Sequence, residues 1–179
     1  MGLAKKKYQP PPRTGMEVFM MLPEGTLAEL INDTIYMSPA PDFLHQQVIM
    51  SISTSIFTFI KRNKLGECVA SPADVFFDNK NVLQPDILFI STENIGIVKS
   101  NKIKGCPDLI IEVLSPGNKD HDRITKKTIY EKFGMKEYFI VDPENKETIT
   151  WYLIGKKYAK QRSVKGKIKS KLLKKTFSF

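Results

Sequence analysis

Two short apolar runs in this chain each carry one carboxylate, and that pairing limits how the chain can fold. Residues 83–90 read Leu-Gln-Pro-Asp-Ile-Leu-Phe-Ile, and residues 108–116 read Asp-Leu-Ile-Ile-Glu-Val-Leu-Ser-Pro. Apolar runs of this length, rich in β-branched residues and bounded by Pro or Gly, read as buried strands. An ionised carboxylate inside such a run is costly unless it is compensated, and a bound cation is one common compensation. Side chains alternate between the faces of a strand, so Asp86 aligns with Leu88 and Ile90, and Glu112 with Ile110 and Leu114. Laid side by side in a sheet, the two strands bring both acids to one edge of the core.

The remaining pattern supplies a sheet and the helices to cover it. Thr14-Gly15-Met16-Glu17 has the form of a capping box and starts a short helix that ends near Pro23. Residues 27–37 read as a strand or hairpin turning at Asn32-Asp33. Residues 43–63 are the clearest helix: Val48, Ile49, Ile52, Ile56, Phe57 and Ile60 make an apolar stripe, and Gly66 closes the element. Strands follow near residues 68–70 and 75–78, with a turn at 78–81, and then the two acid-bearing strands, separated by a polar connection over residues 91–105. A helix over residues 120–133 stops at Gly134 and places Asp122, Lys126 and Tyr130 at i, i+4 and i+8, along one face. Residues 136–141 form a buried strand, and residues 148–154 and 157–161 a two-stranded ribbon. The order predicts one α/β domain over residues 14–161, a mixed sheet flanked by helices. Residues 1–13 are expected to be a poorly ordered lead-in.

Charge is informative because of where it sits. The net charge is +9, yet residues 155–179 hold ten Lys or Arg and no acid; removing those ten from 28 leaves 18 bases against 19 acids. The positive excess therefore belongs to the carboxy-terminal segment, with a smaller cluster at Lys5, Lys6 and Lys7. Such a segment can hold an anionic polymer through phosphate contacts and counterion release, or serve only as a solubilising tail. Apolar stretches run to about eight residues, short of the ~20 a membrane span needs. The lysines near the amino terminus precede no apolar core or cleavage site, which reads against a signal peptide and for a cytoplasmic protein. Cys68 and Cys106 are isolated and read as small buried hydrophobes in a reducing compartment.

Two acids at strand ends with a lysine nearby are the minimum set for metal-dependent hydrolysis of a phosphodiester. The acids bind Mg²⁺ or Mn²⁺, the metal activates water, and the lysine neutralises developing charge. The same residues also have plain structural readings: Asp86 bonding a turn, and Glu112 paired with Lys126. Asp108 reads as a strand-entry residue, Asp120 as a helix cap and Asp142 as a turn residue; His121 sits beside the cap. Phe57, Phe59, Phe76, Phe77 and Phe89 fall at core spacings, and the alternation at Trp151-Tyr152 puts one ring in the core and the other at the surface.

The stretches ELINDTIYMSPAPDFLHQQV, VLQPDILFIS and GCPDLIIEVLSPGNKDHDRITKKTIYEKFGMKEYFIVDP, with MEVFMMLPEG ahead of them, cover about residues 16–145. In order and spacing they resemble the Uma family of restriction endonucleases, within the PD-(D/E)XK nuclease superfamily. The resemblance implies a restriction-endonuclease-like core and a Mg- or Mn-dependent endonuclease that cuts DNA. It makes Asp86 the PD aspartate, Glu112 the second acid, and the main-chain carbonyl of Val113 the group that completes the metal shell. The superfamily's lysine falls two residues after the second acid, where this chain has Leu114. In the Uma branch a lysine on the next helix occupies a family motif, which Lys126 matches with Asp122 before it and Tyr130 after it; Lys127 is the fallback. His45, on the inward side of the long helix, is implied as an extra ligand suited to Mn²⁺, or else is a core-edge histidine bonded to backbone. Glu29, in the ELI stretch, is implied as a further ligand or water-positioning base, or else is an exposed strand acid. The partner implied is DNA, its backbone gripped by the basic segment over residues 162–179, with a homodimer to cut both strands. The alternative is a decayed, non-catalytic module that binds nucleic acid or protein on the same fold.

Overall fold

The computed structural model describes residues 11–115 and 121–179. Its first helix, α1 (Gly15–Phe19), is capped by Thr14, whose hydroxyl accepts from the Glu17 amide at 3.2 Å. A hairpin of β1 (Ala28–Ile31) and β2 (Thr34–Met37) turns on Asn32 and Asp33, both at positive φ as a tight antiparallel turn requires. Helix α2 (Phe43–Asn63) buries Val48, Ile49, Ile52, Ile56 and Ile60 on one face. Phe57, expected on that stripe, is 46% exposed, because it lies about 100° round the helix from Ile56. Nor does Gly66 close α2. Lys64 caps it in the left-handed conformation, and Gly66 opens the next strand at φ 144, where a Cβ would lie 2.1 Å from the Ile90 carbonyl oxygen.

Strands β3 (Gly66–Ala70), β4 (Val75–Asp78), β5 (Asn81–Leu83) and β6 (Ile87–Ser91) follow. The first acid-bearing run, expected as one strand over residues 83–90, is thus two strands. Pro85 has no amide to continue a ladder, and the chain turns a corner there into a different sheet. Beyond it come β7 (Val98–Lys99), β8 (Lys102–Lys104) and the second acid-bearing strand, β9 (Leu109–Val113). A π-helical turn (His121–Lys126) runs into α3 (Lys127–Lys132), and Gly134 at φ 80 ends it. Six further strands follow in sequence order: β10 (Glu137–Val141), β11 (Glu147–Ile154), β12 (Lys157–Lys160), β13 (Val164–Lys165) and the pair β14 (Lys167–Ser170) and β15 (Lys175–Ser178).

The larger sheet runs β12-β11-β10-β9-β6-β3, with β13 also on β11; the smaller runs β2-β1-β5-β4-β8-β7. In the larger, β6 is antiparallel to β9 (Ile87 opposite Ile111, Leu88 opposite Ile110), whereas β10 is parallel to β9. On one face, Phe89, Ile111 and Phe139 pack under Ile52 and Ile56 of α2 and under Ile168 and Phe177 of the β14–β15 hairpin. On the other, Leu88, Ile110 and Leu114 pack with Ile129 and Tyr130 of α3 and with Val75 and Leu83 of the smaller sheet.

Two outcomes change the sequence picture. The basic segment over residues 162–179 is folded, with Ile168, Leu173 and Phe177 buried in the core, each contributing on the order of 2 kcal/mol. Trp151 and Tyr152 are both buried, since both faces of β11 are covered. Helix α2 has the length (21 residues) and mean hydropathy (1.2) of a membrane-crossing helix. Its inner face packs on the sheet as a core helix does, and length and composition alone do not separate the two.

Candidate active site

The antiparallel register of β6 and β9, continued by one residue past Ile87 and Ile111, sets Asp86 opposite Glu112. Each acid is tied to the other's strand: the Val113 amide donates to Asp86 Oδ2 at 2.7 Å, and the Asp86 amide donates to Glu112 Oε2 at 3.2 Å. Asp86 stands one residue ahead of β6, its carbonyl accepting from the Ser71 amide at 2.8 Å, and the cleft opens at this end of the sheet. The Asp86 side chain is 15% exposed, whereas Glu112 is 2% exposed.

Side chains reach this point from both faces of the sheet. From α2, whose Asp42 cap accepts from the His45 amide at 2.8 Å, His45 Nε2 lies 2.9 Å from the Val113 carbonyl oxygen and 3.3 Å from Asp86 Oδ2. Both neighbours are acceptors, so Nε2 carries the hydrogen. Burial works against charging this ring, but the bond to Asp86, that residue's charge and the Val113 carbonyl outweigh it, and the His45 pKa lies above its usual 6.5. Nδ1 of the same ring is buried, with no hydrogen-bond partner among the described residues.

From the α3 side, Lys126 Nζ lies 3.2 Å from Glu112 Oε1 and 2.9 Å from Glu29 Oε1, and the Tyr130 hydroxyl donates to Glu112 Oε1 at 2.7 Å. Lys126 ends the π-helical turn and Tyr130 is four residues on, so the two share the face turned to β9. Burial, and after it the charge of Glu112, pushes the Tyr130 phenol well above its ordinary pKa of 10, which keeps it a donor. Glu29, on β1, also accepts from the Gln84 amide at 2.9 Å, and the Gln84 side chain donates to Asp74 Oδ1 at 2.8 Å. Both sheets therefore contribute acids to a cleft of about 650 Å³ that Pro39, Pro41 and Pro72 also line.

Of the residues singled out by sequence, Asp86, Glu112, Val113, Lys126, Tyr130, His45 and Glu29 come together here. Glu29 is 6% exposed, which removes the exposed-acid reading, and it faces an ammonium. Leu114 is buried among Ile129 and Tyr130 as a packing residue. The side chains of His121 and Asp122 and all of Asp120 lie outside the described residues, as do Lys5, Lys6 and Lys7. Gln84 carries no signal in the sequence beyond its adjacency to Pro85. Asp108 is held elsewhere, by the Ser91 amide and by Asn94 and Lys136.

Among the described residues, no three His, Cys, Asp or Glu side chains form a metal-binding cluster. The donors that do converge are two carboxylates and a main-chain carbonyl. Such an oxygen set suits a hard divalent cation that keeps part of its water shell.

Over residues 16–173 the chain matches the Uma2 family, described as "putative restriction endonuclease". Among solved structures it is similar to a protein from Anabaena variabilis ATCC 29413 described as a "putative nuclease belonging to DUF820". That likeness has a TM-score of 0.71 at 20% identity and covers 86% of this chain and 83% of the other. No curated protein matches the chain.

Proposed function

This chain belongs to the Uma2 family of "putative restriction endonucleases", and from that premise we propose that it is a Mg²⁺- or Mn²⁺-dependent endonuclease hydrolysing DNA phosphodiester bonds. The observation that carries the reading is the convergence of Asp86, Glu112, the Val113 carbonyl and the Lys126 ammonium in one cleft. Asp86, Glu112 and the Val113 carbonyl would hold the metal, with His45 beside them. Bound there, the metal supplies Lewis-acid charge and a water of lowered pKa. Lys126 supplies a fixed positive charge toward the scissile phosphate. Tyr130 fixes the orientation of Glu112 by bonding Oε1, which leaves Oε2 turned toward Asp86.

The DNA backbone would be gripped by the β14–β15 hairpin. Lys167 and Lys169 stand opposite Ser178 and Thr176 on its outward face, and residues 148–179 contain no acid. Lysines beside hydroxyls are common phosphate-contacting groups. Phe177 packs on Phe59 of α2 with ring centroids 5.5 Å apart, fourteen residues along the helix from His45 at the cleft. At 1.5 Å per residue the grip lies about 20 Å from the cut, or roughly six base pairs of duplex. Two-strand cutting would use a homodimer. Leu114, at the position of the superfamily's lysine, favours the second reading, a non-catalytic binding module.

Incubation of supercoiled plasmid with Mg²⁺, Mn²⁺ or EDTA separates the two. Metal-dependent nicking that is lost in Glu112→Gln, with DNA binding retained, supports the endonuclease. Tight DNA binding with no cutting under any metal supports the module. Because the hairpin is part of the core, the grip is tested by Lys167→Gln with Lys169→Gln rather than by truncation; weaker binding and a flatter salt dependence are expected.

A further inference from the structure

Lys126 Nζ sits between two buried carboxylates that belong to different sheets. Glu29 Oε1 of the smaller sheet is 2.9 Å away and Glu112 Oε1 of the larger is 3.2 Å away. All three side chains are shielded: Glu29 is 6% exposed, Glu112 2% and Lys126 7%. Two carboxylates sharing a buried site cannot both stay ionised without a cation or a proton between them. Here the cation is an ammonium delivered by the last residue of a π-helical turn, a local distortion that often marks functional positions.

The orientation of Glu112 adds a second constraint. Its Oε1 faces Lys126, whereas Oε2 faces Asp86, with the Asp86 amide at 3.2 Å. One carboxylate thus turns one oxygen toward an ammonium and the other toward the Asp86 amide, beside the Asp86 carboxylate. A carboxylate bridging two metal ions likewise divides its oxygens in nucleases and phosphatases that use a metal pair about 3.5–4 Å apart. In this chain the Asp86 side offers a carboxylate and a carbonyl for a divalent ion, and the Glu29 side is already filled by a covalently tethered charge.

We propose that Lys126 Nζ takes the place of a second metal ion, so that the protein binds one divalent cation, and that removing the ammonium opens a second cation site between Glu29 and Glu112. The inference rests on the metal-site reading above. It assigns Glu29 to holding the fixed charge, in place of the role of metal ligand or base. An ammonium is not a Lewis acid and does not lower the pKa of a bound water as a metal ion does, so the Glu29 side stabilises charge and generates no hydroxide.

The test is Mn²⁺ stoichiometry, read by the electron paramagnetic resonance of free Mn²⁺ during titration of the wild type, Lys126→Ala and the double variant Lys126→Ala with Glu29→Gln. One ion in the wild type, two in Lys126→Ala and one in the double variant support the proposal. The thermal midpoint of Lys126→Ala should fall below wild type without metal, and Mn²⁺ should raise it further than it raises wild type. If Lys126→Ala loses its fold without metal, recovery of its circular dichroism by Mn²⁺ with two ions bound gives the same support, and failure of Mn²⁺ to recover it overturns the proposal. Two ions in the wild type, or one in a folded Lys126→Ala, overturn the proposal and leave the endonuclease reading standing. No ion in the wild type overturns both.

Discussion

The dipeptide Pro-Asp occurs three times: Pro41-Asp42 caps α2, whereas Pro85-Asp86 and Pro107-Asp108 each stand just ahead of a strand of the same antiparallel pair, β6 and β9. The latter two acids therefore sit at opposite ends of one ladder. At the Asp108 end, the carboxylate accepts from the Ser91 amide at 2.8 Å, from Asn94 at 3.1 Å and from Lys136 at 2.6 Å, and Asp108 is 2% exposed. Its surroundings are closed, and the acid joins β9 to its neighbours. At the Asp86 end, the cleft opens, and a second acid, Glu112, stands opposite with Lys126, Tyr130 and His45 around the pair. The same dipeptide is thus a strap at one end and a candidate ligand at the other. What separates them is whether an opposed acid and an open cleft accompany the aspartate.

The sharpest way to break this contrast is to remove each aspartate's charge. Asp86→Asn should lower cleavage by on the order of 10³-fold, the scale of a lost electrostatic contribution of several kcal/mol to the transition state, with the fold intact by circular dichroism. Asp108→Ala should act on stability instead. It strands the buried Ser91 amide, and a loss of about 2 kcal/mol is expected in urea denaturation, with cleavage per folded molecule unchanged.

The pH dependence of the Asp108 strap has a definite sign. Burial alone would raise the Asp108 pKa, but Lys136, the Ser91 amide and Asn94 outweigh it and hold it below the usual 3.8. A folded pKa below the unfolded value means the stabilisation is complete above about pH 4 and is lost as pH falls through the folded value. The gap between wild type and Asp108→Ala should therefore be wide at neutral pH and narrow in acid.

Smaller effects sharpen the picture. Tyr130→Phe removes one of the bonds that orient Glu112 and should slow cleavage about tenfold at a cost of roughly 1 kcal/mol in stability. Glu137, opposite Leu109 at the Asp108 end, has its pKa raised by burial against its bonds to Ser170 and Leu172. The folded protein therefore binds more protons than the unfolded chain above the ordinary carboxylate value. Wild-type stability should decline as pH rises through that window, and Glu137→Gln should flatten the decline.

Much of the scaffold was legible because local chemistry and tertiary structure agree. The Asn32-Asp33 turn, the α2 stripe and the Gly134 stop follow from short-range rules. The alignment of Glu112 with Ile110 and Leu114 follows from strand alternation, and Glu112 meets Lys126 and Tyr130 on the face where Ile110 and Leu114 pack. The break at Pro85 was less legible, since an apolar run with one proline reads as a continuous strand until a second sheet is there to receive half of it. For Glu29 the sequence left the ligand-or-base and exposed-acid readings open; all of β1 is buried, with α1 covering one side and the ion pair with Lys126 closing the other. In the carboxy-terminal segment the lysine count hid a plain alternation, Lys167-Ile168-Lys169-Ser170, whose inward members complete the core. Long-range pairing of charges, unlike alternation, leaves no periodic mark in a sequence.

The most direct test sets Asp86 and Asp108, the two Pro-Asp aspartates that lead into strands, side by side in one plasmid-nicking assay with Mn²⁺, using wild type, Asp86→Asn and Asp108→Asn below the melting temperature of each. The expected result is cutting by wild type and Asp108→Asn and none by Asp86→Asn, with all three folded. Nicking that survives in Asp86→Asn, or that disappears in a folded Asp108→Asn, would contradict the placement of the active site at the Asp86–Glu112 end of the sheet.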